Sequence, residues 1–92
     1  MGEEDLESFF INEKPVKILV NINSGFTDNY ASKLSTEVDA TYSHTVRILH
    51  ELEEFNLVTS EREGRKKIVS LTEDGEKVAT QCGELLAALR DK

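Results

Sequence analysis

The sequence predicts an α+β domain, mainly α, in which three helices precede a two-stranded hairpin and a further helix follows it. Apolar residues recur with a helical period as far as Phe55, and the period then changes to two between Leu57 and Thr72. Thr72 precedes Glu73 and Asp74, a combination typical of a helix start. The 92 residues correspond to a single domain.

The N-terminal part is predicted to contain an arm and then a first helix. Residues 1–13 combine an acidic start with four apolar residues, so we expect either a short helix or an arm that packs on the domain or on a second subunit: Leu6, Phe9, Phe10 and Ile11. Pro15 suits the first turn of a helix, which predicts a helix over residues 15–23. The residues Asn23-Ser24-Gly25 end it.

Two further helices are predicted with a short turn between them. Thr27 is the expected N-cap of the first, which runs to about Thr36. Asp39 or Thr41 caps the longer second helix, which ends near Phe55. Its predicted core face consists of Tyr42, Thr45, Leu49 and Leu52, with Val46 beside them. Its predicted exposed face consists of Ser43, Arg47, His50 and Glu54.

A hairpin and a last helix complete the predicted domain. Residues 57–62 and 67–72 are expected as antiparallel strands, with Gly64 at the bend between them. Thr72 is the expected cap of the last helix, along which an apolar stripe runs: Val78, Cys82, Leu85, Leu86 and Leu89. This order of elements is that of a winged helix-turn-helix, with a three-helix core, a two-stranded β-wing and a C-terminal helix. In such a domain, the second helix of the helix-turn-helix pair can bind in the major groove of DNA. We divide the chain into an arm (1–13), a winged domain (14–75) and a C-terminal helix (76–92).

The stretch from Ala31 to Ala79 resembles the winged-helix transcription regulators of the MarR-like and ArsR-like groups, small proteins common in bacteria and archaea. Three patterns carry the resemblance: Leu49 and Leu52 followed by Phe55-Asn56-Leu57-Val58; the basic segment Arg62-Glu63-Gly64-Arg65-Lys66-Lys67; and the junction Leu71-Thr72-Glu73-Asp74-Gly75. Asn56 stands where these groups usually have glycine, and asparagine also tolerates the left-handed conformation. The resemblance implies a DNA-binding transcriptional regulator.

The charge distribution bears on this expectation more than the total does. A net charge of −7 argues against a general nucleic-acid binder, because affinity for DNA comes largely from cations against phosphates. Four basic residues nevertheless occur in one six-residue segment of the predicted hairpin, and we expect this segment to contact the DNA backbone or the minor groove: Arg62, Arg65, Lys66 and Lys67. Lys33 and Thr41 are expected as supporting phosphate contacts.

The recognition helix, predicted over about residues 41–55, supplies the candidate base contacts in the major groove. Four residues occupy its first two turns: Tyr42, Ser43, His44 and Arg47. Arginine suits guanine through paired hydrogen bonds to O6 and N7. Tyr42 also fits the core side of the helix. A solvated polar face is the alternative interpretation of this surface.

The C-terminal stripe, Val78 to Leu89, is predicted as a homodimer element, although it could instead pack on the domain's own core. No catalytic constellation is apparent, so we expect no enzyme activity, cofactor or metal. The single cysteine excludes an internal disulfide. The acidic first residues and the absence of a long apolar run suggest a cytoplasmic protein without membrane contact.

Two functions remain open at this stage. The first is a sequence-specific regulator that binds double-stranded DNA. The second is a winged-helix protein–protein interaction module that does not bind DNA, which the acidic balance and the Glu51–Glu54 segment favour.

Overall fold

The computed structural model describes residues 12–25 and 29–91. Its elements follow in the order α1 (Glu13–Ser24), α2 (Ala31–Glu37), α3 (Tyr42–Glu54), β1 (Val58–Glu63), β2 (Lys66–Leu71) and α4 (Glu73–Arg90). The two strands form an antiparallel hairpin. This mainly helical arrangement confirms the predicted winged helix-turn-helix fold.

Helix α1 begins at Glu13, two residues before the predicted start. Pro15 is its third residue and lies in the first turn, where a backbone N–H would have no partner within the helix. The helix ends at Gly25, whose φ of 71° is the left-handed conformation that glycine adopts without steric cost. Residues 1–11 of the predicted arm lie outside the described residues.

Helix α2 begins later than the sequence predicts. Its N-cap is Tyr30, which is extended and makes no side-chain cap hydrogen bond. Tyr30 forms an isolated antiparallel bridge with Ile68, and the Val69 N–H donates to the Asn29 carbonyl at 2.8 Å. Residues 29 and 30 therefore extend the hairpin sheet instead of starting a helix. Thr27, the predicted cap, lies outside the described residues.

The core is formed where the helices meet the inner face of the hairpin. Its largest fully buried side chains come from four elements: Ile18, Leu19, Leu34, Leu49, Leu52 and Val69, together with Thr45. The core face of α3 includes Ile48, which was not predicted there, and does not include Tyr42. Tyr42 is 55% exposed because, as the first residue of α3, it lies beyond the edge of the core. Its assignment to the core face was wrong.

Helix α4 packs against α1. Gly75 and Ala79 are buried, and a Cβ at position 75 would clash with the backbone carbonyl of Leu57. The glycine in the segment Leu71 to Gly75 is thus required by the close approach of two backbones. The sequence predicted a boundary between the winged domain and the C-terminal helix at residue 75. That residue lies in the first turn of α4, which is one continuous helix. Among the helices of the described residues, none has the length and apolar character needed to cross a membrane.

Candidate nucleic-acid interface

The N-terminus of α3 is held by two threonines. The Thr41 hydroxyl accepts from the His44 N–H at 3.1 Å, which confirms Thr41 as the cap. Thr45 is fully buried, and its hydroxyl donates to the Thr41 carbonyl at 2.9 Å. These bonds orient the first two turns of α3, in which Ser43 and Arg47 are exposed as predicted and His44 is exposed as well.

The turn between α2 and α3 is closed by backbone hydrogen bonds around Asp39, whose φ is 57°. The Asp39 N–H donates to Thr36 and the Ala40 N–H donates to Ser35, which is a Schellman closure. Lys14 of α1 adds two bonds, since its Nζ donates to the carbonyls of Val38 at 2.7 Å and Asp39 at 3.0 Å. The first helix therefore fixes the angle between α2 and α3. The sequence contains no local pattern that marks Lys14 for this role.

The wing consists of β1, the Gly64-Arg65 loop and β2. Gly64 has a φ of 65°, which a two-residue hairpin loop requires at its first position in a type II′ turn. The register places Arg62 directly opposite Lys67, and Glu63 opposite Lys66. Like charges in opposite positions are unfavourable for pairing. Within the described part of the chain, none of the four basic wing side chains forms an ion pair, so their charges are available to a ligand.

A cleft of about 250 Å³ separates the wing from the starts of α2 and α3. We call it the wing cleft; it is lined by Tyr30, Ala31, Ser32, Tyr42, Arg65, Lys66 and Lys67. The Lys66 Nζ lies 4.4 Å from the centre of the Tyr30 ring, a cation–π contact that joins the wing to the helix-turn-helix. The structure thus brings Tyr42 together with three of the predicted wing residues. Tyr30 and Ser32 were not among the predicted contacts, because the position of Tyr30 at the cleft depends on its pairing with Ile68 of β2.

The remaining predicted contacts lie around this cleft. Lys33 is exposed on α2, and Arg62 is exposed on β1, but neither lines the cleft. Thr41 is exposed, and its hydroxyl can still donate a hydrogen bond while it caps α3. The predicted backbone contacts therefore lie on both sides of the cleft instead of forming one cluster.

A second cleft, of about 280 Å³, lies between the start of α1 and the exposed side of α3. His44 and Arg47 line it with Lys14, Glu13 and Glu51. Glu13 is already paired with Lys17 at 3.3 Å and with Lys14 at 3.9 Å. Since carboxylates and cations alternate around it, this cleft has no dominant charge.

The acidic end of α3 is partly turned inward. The Glu53 carboxylate accepts from the Ser60 hydroxyl of β1 at 2.8 Å, so this side chain links the helix to the wing. Glu51 is half-buried and Glu54 is exposed. The exposed acidic surface near the C-terminus of α3 is therefore smaller than the sequence suggests.

The apolar stripe of α4 divides into two parts. Val78 packs against the core, and Cys82 and Leu86 are half-buried. Leu85 and Leu89 are 56% and 57% exposed. Desolvation raises the pKa of the Cys82 thiol, so the thiol form predominates at neutral pH. Among the residues that the structure describes, no group of three His, Cys, Asp or Glu side chains could hold a metal ion.

Comparisons with known proteins agree with this architecture. Residues 17–83 match the family model described as the DUF6293 C-terminal winged helix domain. The chain is 33% identical over 89 residues to an uncharacterized protein of Archaeoglobus fulgidus, a match that covers 94% of this chain and 93% of that protein.

Solved structures show the same fold. The crystal structure of AF1382 from Archaeoglobus fulgidus superimposes with a TM-score of 0.78 at 32% identity, covering 85% of this chain and 89% of that chain. The Staphylococcus aureus MepR–DNA complex gives a TM-score of 0.78 at 18% identity, covering 94% of this chain and 65% of that chain. A MarR-family transcriptional regulator from Rhodococcus gives 0.76 at 20% identity, covering 90% of this chain and 60% of that chain. The resemblance to MarR-like regulators is confirmed at the level of the fold.

Proposed function

Because the chain belongs to the family of the DUF6293 C-terminal winged helix domain, we propose that it is a DNA-binding transcriptional regulator that recognises specific sequences. The observation that carries the proposal is the wing cleft, which joins the start of α3 to three cations of the wing in a chain of net charge −7. Phosphate contacts position such a protein on DNA, and side chains at base edges provide its specificity. The likeness to a regulator whose structure is known with DNA supports the same assignment.

In this proposal α3 lies in the major groove. Ser43, His44 and Arg47 are exposed on its first two turns, where they contact bases. Tyr42 contacts a base or a phosphate. The wing residues, with Lys33 and Thr41, hold the backbone. In this proposal no step is enzymatic, and the protein acts in the cytoplasm.

We further propose that the protein acts as a homodimer. Leu85 and Leu89 are more than half exposed on α4, and they continue the stripe formed by Val78, Cys82 and Leu86. A second copy would cover them. A two-fold protein contacts paired half-sites about one helical turn apart, which suits a small domain with one recognition helix.

The wing is tested by removing two of its cations. Arg65→Ala with Lys66→Ala should weaken binding to every duplex by about tenfold or more, and the slope of log affinity against log salt should fall by about two. Lys77→Ala with Arg90→Ala removes the same charge from exposed positions of α4 and is the matched control. Equal affinity for the wing variant and the control would contradict the proposal.

Base contact is tested separately at Arg47. Arg47→Ala should reduce discrimination at one base position by about 1–3 kcal/mol, measured by selection from a random duplex library. Lys33→Ala, a proposed phosphate contact, should weaken binding to all sequences equally. If Arg47→Ala also weakens all sequences equally, Arg47 does not determine specificity.

The net charge of −7 favours one other function, a protein-interaction module whose basic wing docks on an acidic partner. A gel shift with random duplex at low salt separates the two. No shift of the wild-type protein would favour the interaction module.

A further inference from the structure

The two edges of the wing differ in charge. β2 pairs with Tyr30 on one side and with β1 on the other, so β1 forms the outer edge of the sheet. The inner edge and the loop contribute three cations and no carboxylate, namely Arg65, Lys66 and Lys67. The outer edge contributes one cation between two exposed carboxylates, namely Glu61, Arg62 and Glu63.

The inner edge borders the wing cleft, and no carboxylate residue lines that cleft. Its opposite wall carries three hydroxyl groups, those of Tyr30, Ser32 and Tyr42. The contact of Lys66 with the Tyr30 ring at 4.4 Å joins the two walls. Cations facing neutral hydroxyl donors across a cleft are the groups that proteins use for the phosphates of DNA.

We propose that the wing cleft clamps a phosphodiester group of one DNA strand, and that the wing stays on the backbone of that strand without entering the minor groove. The clamp rests on the DNA binding proposed above. The minor groove is about 6 Å wide, and the two strands of a β-ribbon are about 4.8 Å apart. A wing inserted into the groove would therefore span it and place each of its edges beside the phosphates of one DNA strand. Glu61 and Glu63 would then face the phosphates of the second strand. With the wing on one backbone, these carboxylates face solvent.

The first experiment tests the hydroxyl wall. Tyr30→Phe with Tyr42→Phe keeps both rings, including the one beneath Lys66, and removes only the hydroxyl donors. Affinity for a random-sequence duplex should fall by about tenfold, while the salt slope stays unchanged because no charge is removed. Thermal unfolding of the variant provides the check on folding. Unchanged affinity of the folded variant would overturn the clamp.

The second experiment tests the outer edge. Glu61→Gln is compared with Glu84→Gln, which removes an exposed carboxylate from α4; Glu63 is kept in both variants because it lies opposite Lys66, a residue of the wing cleft. Both variants should raise affinity for duplex DNA to a similar extent, within about threefold of each other, because both act only through the overall field. A gain about tenfold larger for Glu61→Gln than for Glu84→Gln would place the Glu61 carboxylate against phosphate and overturn the proposal.

The third experiment blocks the minor groove. Netropsin, which fills the minor groove of A·T-rich duplex, should leave the affinity of the wild-type protein within about twofold of its value without netropsin, because the wing does not use that groove. Displacement of the protein by netropsin overturns the clamp alone. If the wild-type protein binds no duplex even at low salt, the proposed function fails, and the clamp fails with it.

Discussion

Two residues other than glycine, Asp39 and Asn56, adopt the left-handed conformation, with φ of 57° and 63°. Each follows a helix that ends in a Schellman closure. At Asn56 the N–H donates to Glu53, and the next N–H, that of Leu57, donates to Leu52. Asn56 thereby turns the chain from α3 directly into β1, in the left-handed conformation that asparagine was expected to tolerate at this position. The left-handed conformation of this one residue therefore sets the direction in which the chain leaves the recognition helix for the wing.

Substitutions at Asn56 should show how the left-handed conformation at this position affects the free energy of unfolding. Asn56→Ala should lower the free energy of unfolding by about 1 kcal/mol, because a Cβ without a short polar group is unfavourable in the left-handed region. The free energy of unfolding of Asn56→Gly should lie within about 0.5 kcal/mol of the wild-type value, because the relief of backbone strain offsets the flexibility gained by the unfolded chain. Urea denaturation measures both values.

Asn23→Ala is the matched control for these substitutions, because Asn23 is exposed and lies in the right-handed helix α1. It should leave stability unchanged or slightly raised. If Asn56→Ala is as stable as Asn23→Ala, the left-handed conformation at position 56 does not destabilise alanine, and the expected loss of about 1 kcal/mol is wrong.

At the scale of elements, the junction between β2 and α4 explains why threonine and glycine stand three positions apart. The Thr72 hydroxyl accepts from the Gly75 N–H at 2.9 Å and donates to the Asn56 carbonyl at 2.7 Å. The Thr72 N–H donates to the Leu57 carbonyl at 3.0 Å. The start of α4 is therefore tied to the end of α3, and the wing lies between the two attachment points.

Removing the Thr72 hydroxyl should destabilise the domain. Thr72→Val loses both hydroxyl hydrogen bonds and should lower the free energy of unfolding by about 1–2 kcal/mol. Thr72→Ser keeps the hydroxyl and should recover most of that loss. Thr80→Val, at an exposed position within α4, is the control for a β-branched substitution in a helix. A loss at Thr72→Val no larger than at Thr80→Val would contradict the cap.

At the scale of the whole molecule, the domain presents two surfaces of different chemistry. One contains α3 and the wing cleft, and the other contains the exposed end of the α4 stripe at Leu85 and Leu89. A groove of about 330 Å³ adjoins this stripe, between α1 and α4. A dimer built on the second surface leaves the first one available to DNA.

The proposed dimer should depend on the two exposed leucines. Leu85→Glu with Leu89→Glu should yield monomers in sedimentation analysis with unchanged helix content, because both side chains are already more than half exposed in one copy. Thr80→Glu with Ala87→Glu adds the same charge to another exposed side of α4 and should leave the oligomer intact. A wild-type monomer, or a dimer that survives the leucine substitutions, would refute this interface.

The sequence by itself determined the order of the elements and their local signals. Thr72 caps α4 as predicted, Thr41 is the one of two predicted candidates that caps α3, and Gly64 lies at the bend of the hairpin. The exposed face of α3 also agrees with its 3.6-residue period. These features depend on hydrogen bonds and side-chain periodicity over a few neighbouring residues, which a sequence displays directly.

The tertiary structure alone decided how distant segments meet. Lys14 contacts the carbonyl of Val38, 24 residues away, and Tyr30 lies beside Lys66 because Tyr30 pairs with Ile68 of β2. The strand register likewise decided that Arg62 lies directly opposite Lys67. Such contacts depend on packing and pairing across the whole fold, and no local pattern of residue types specifies them.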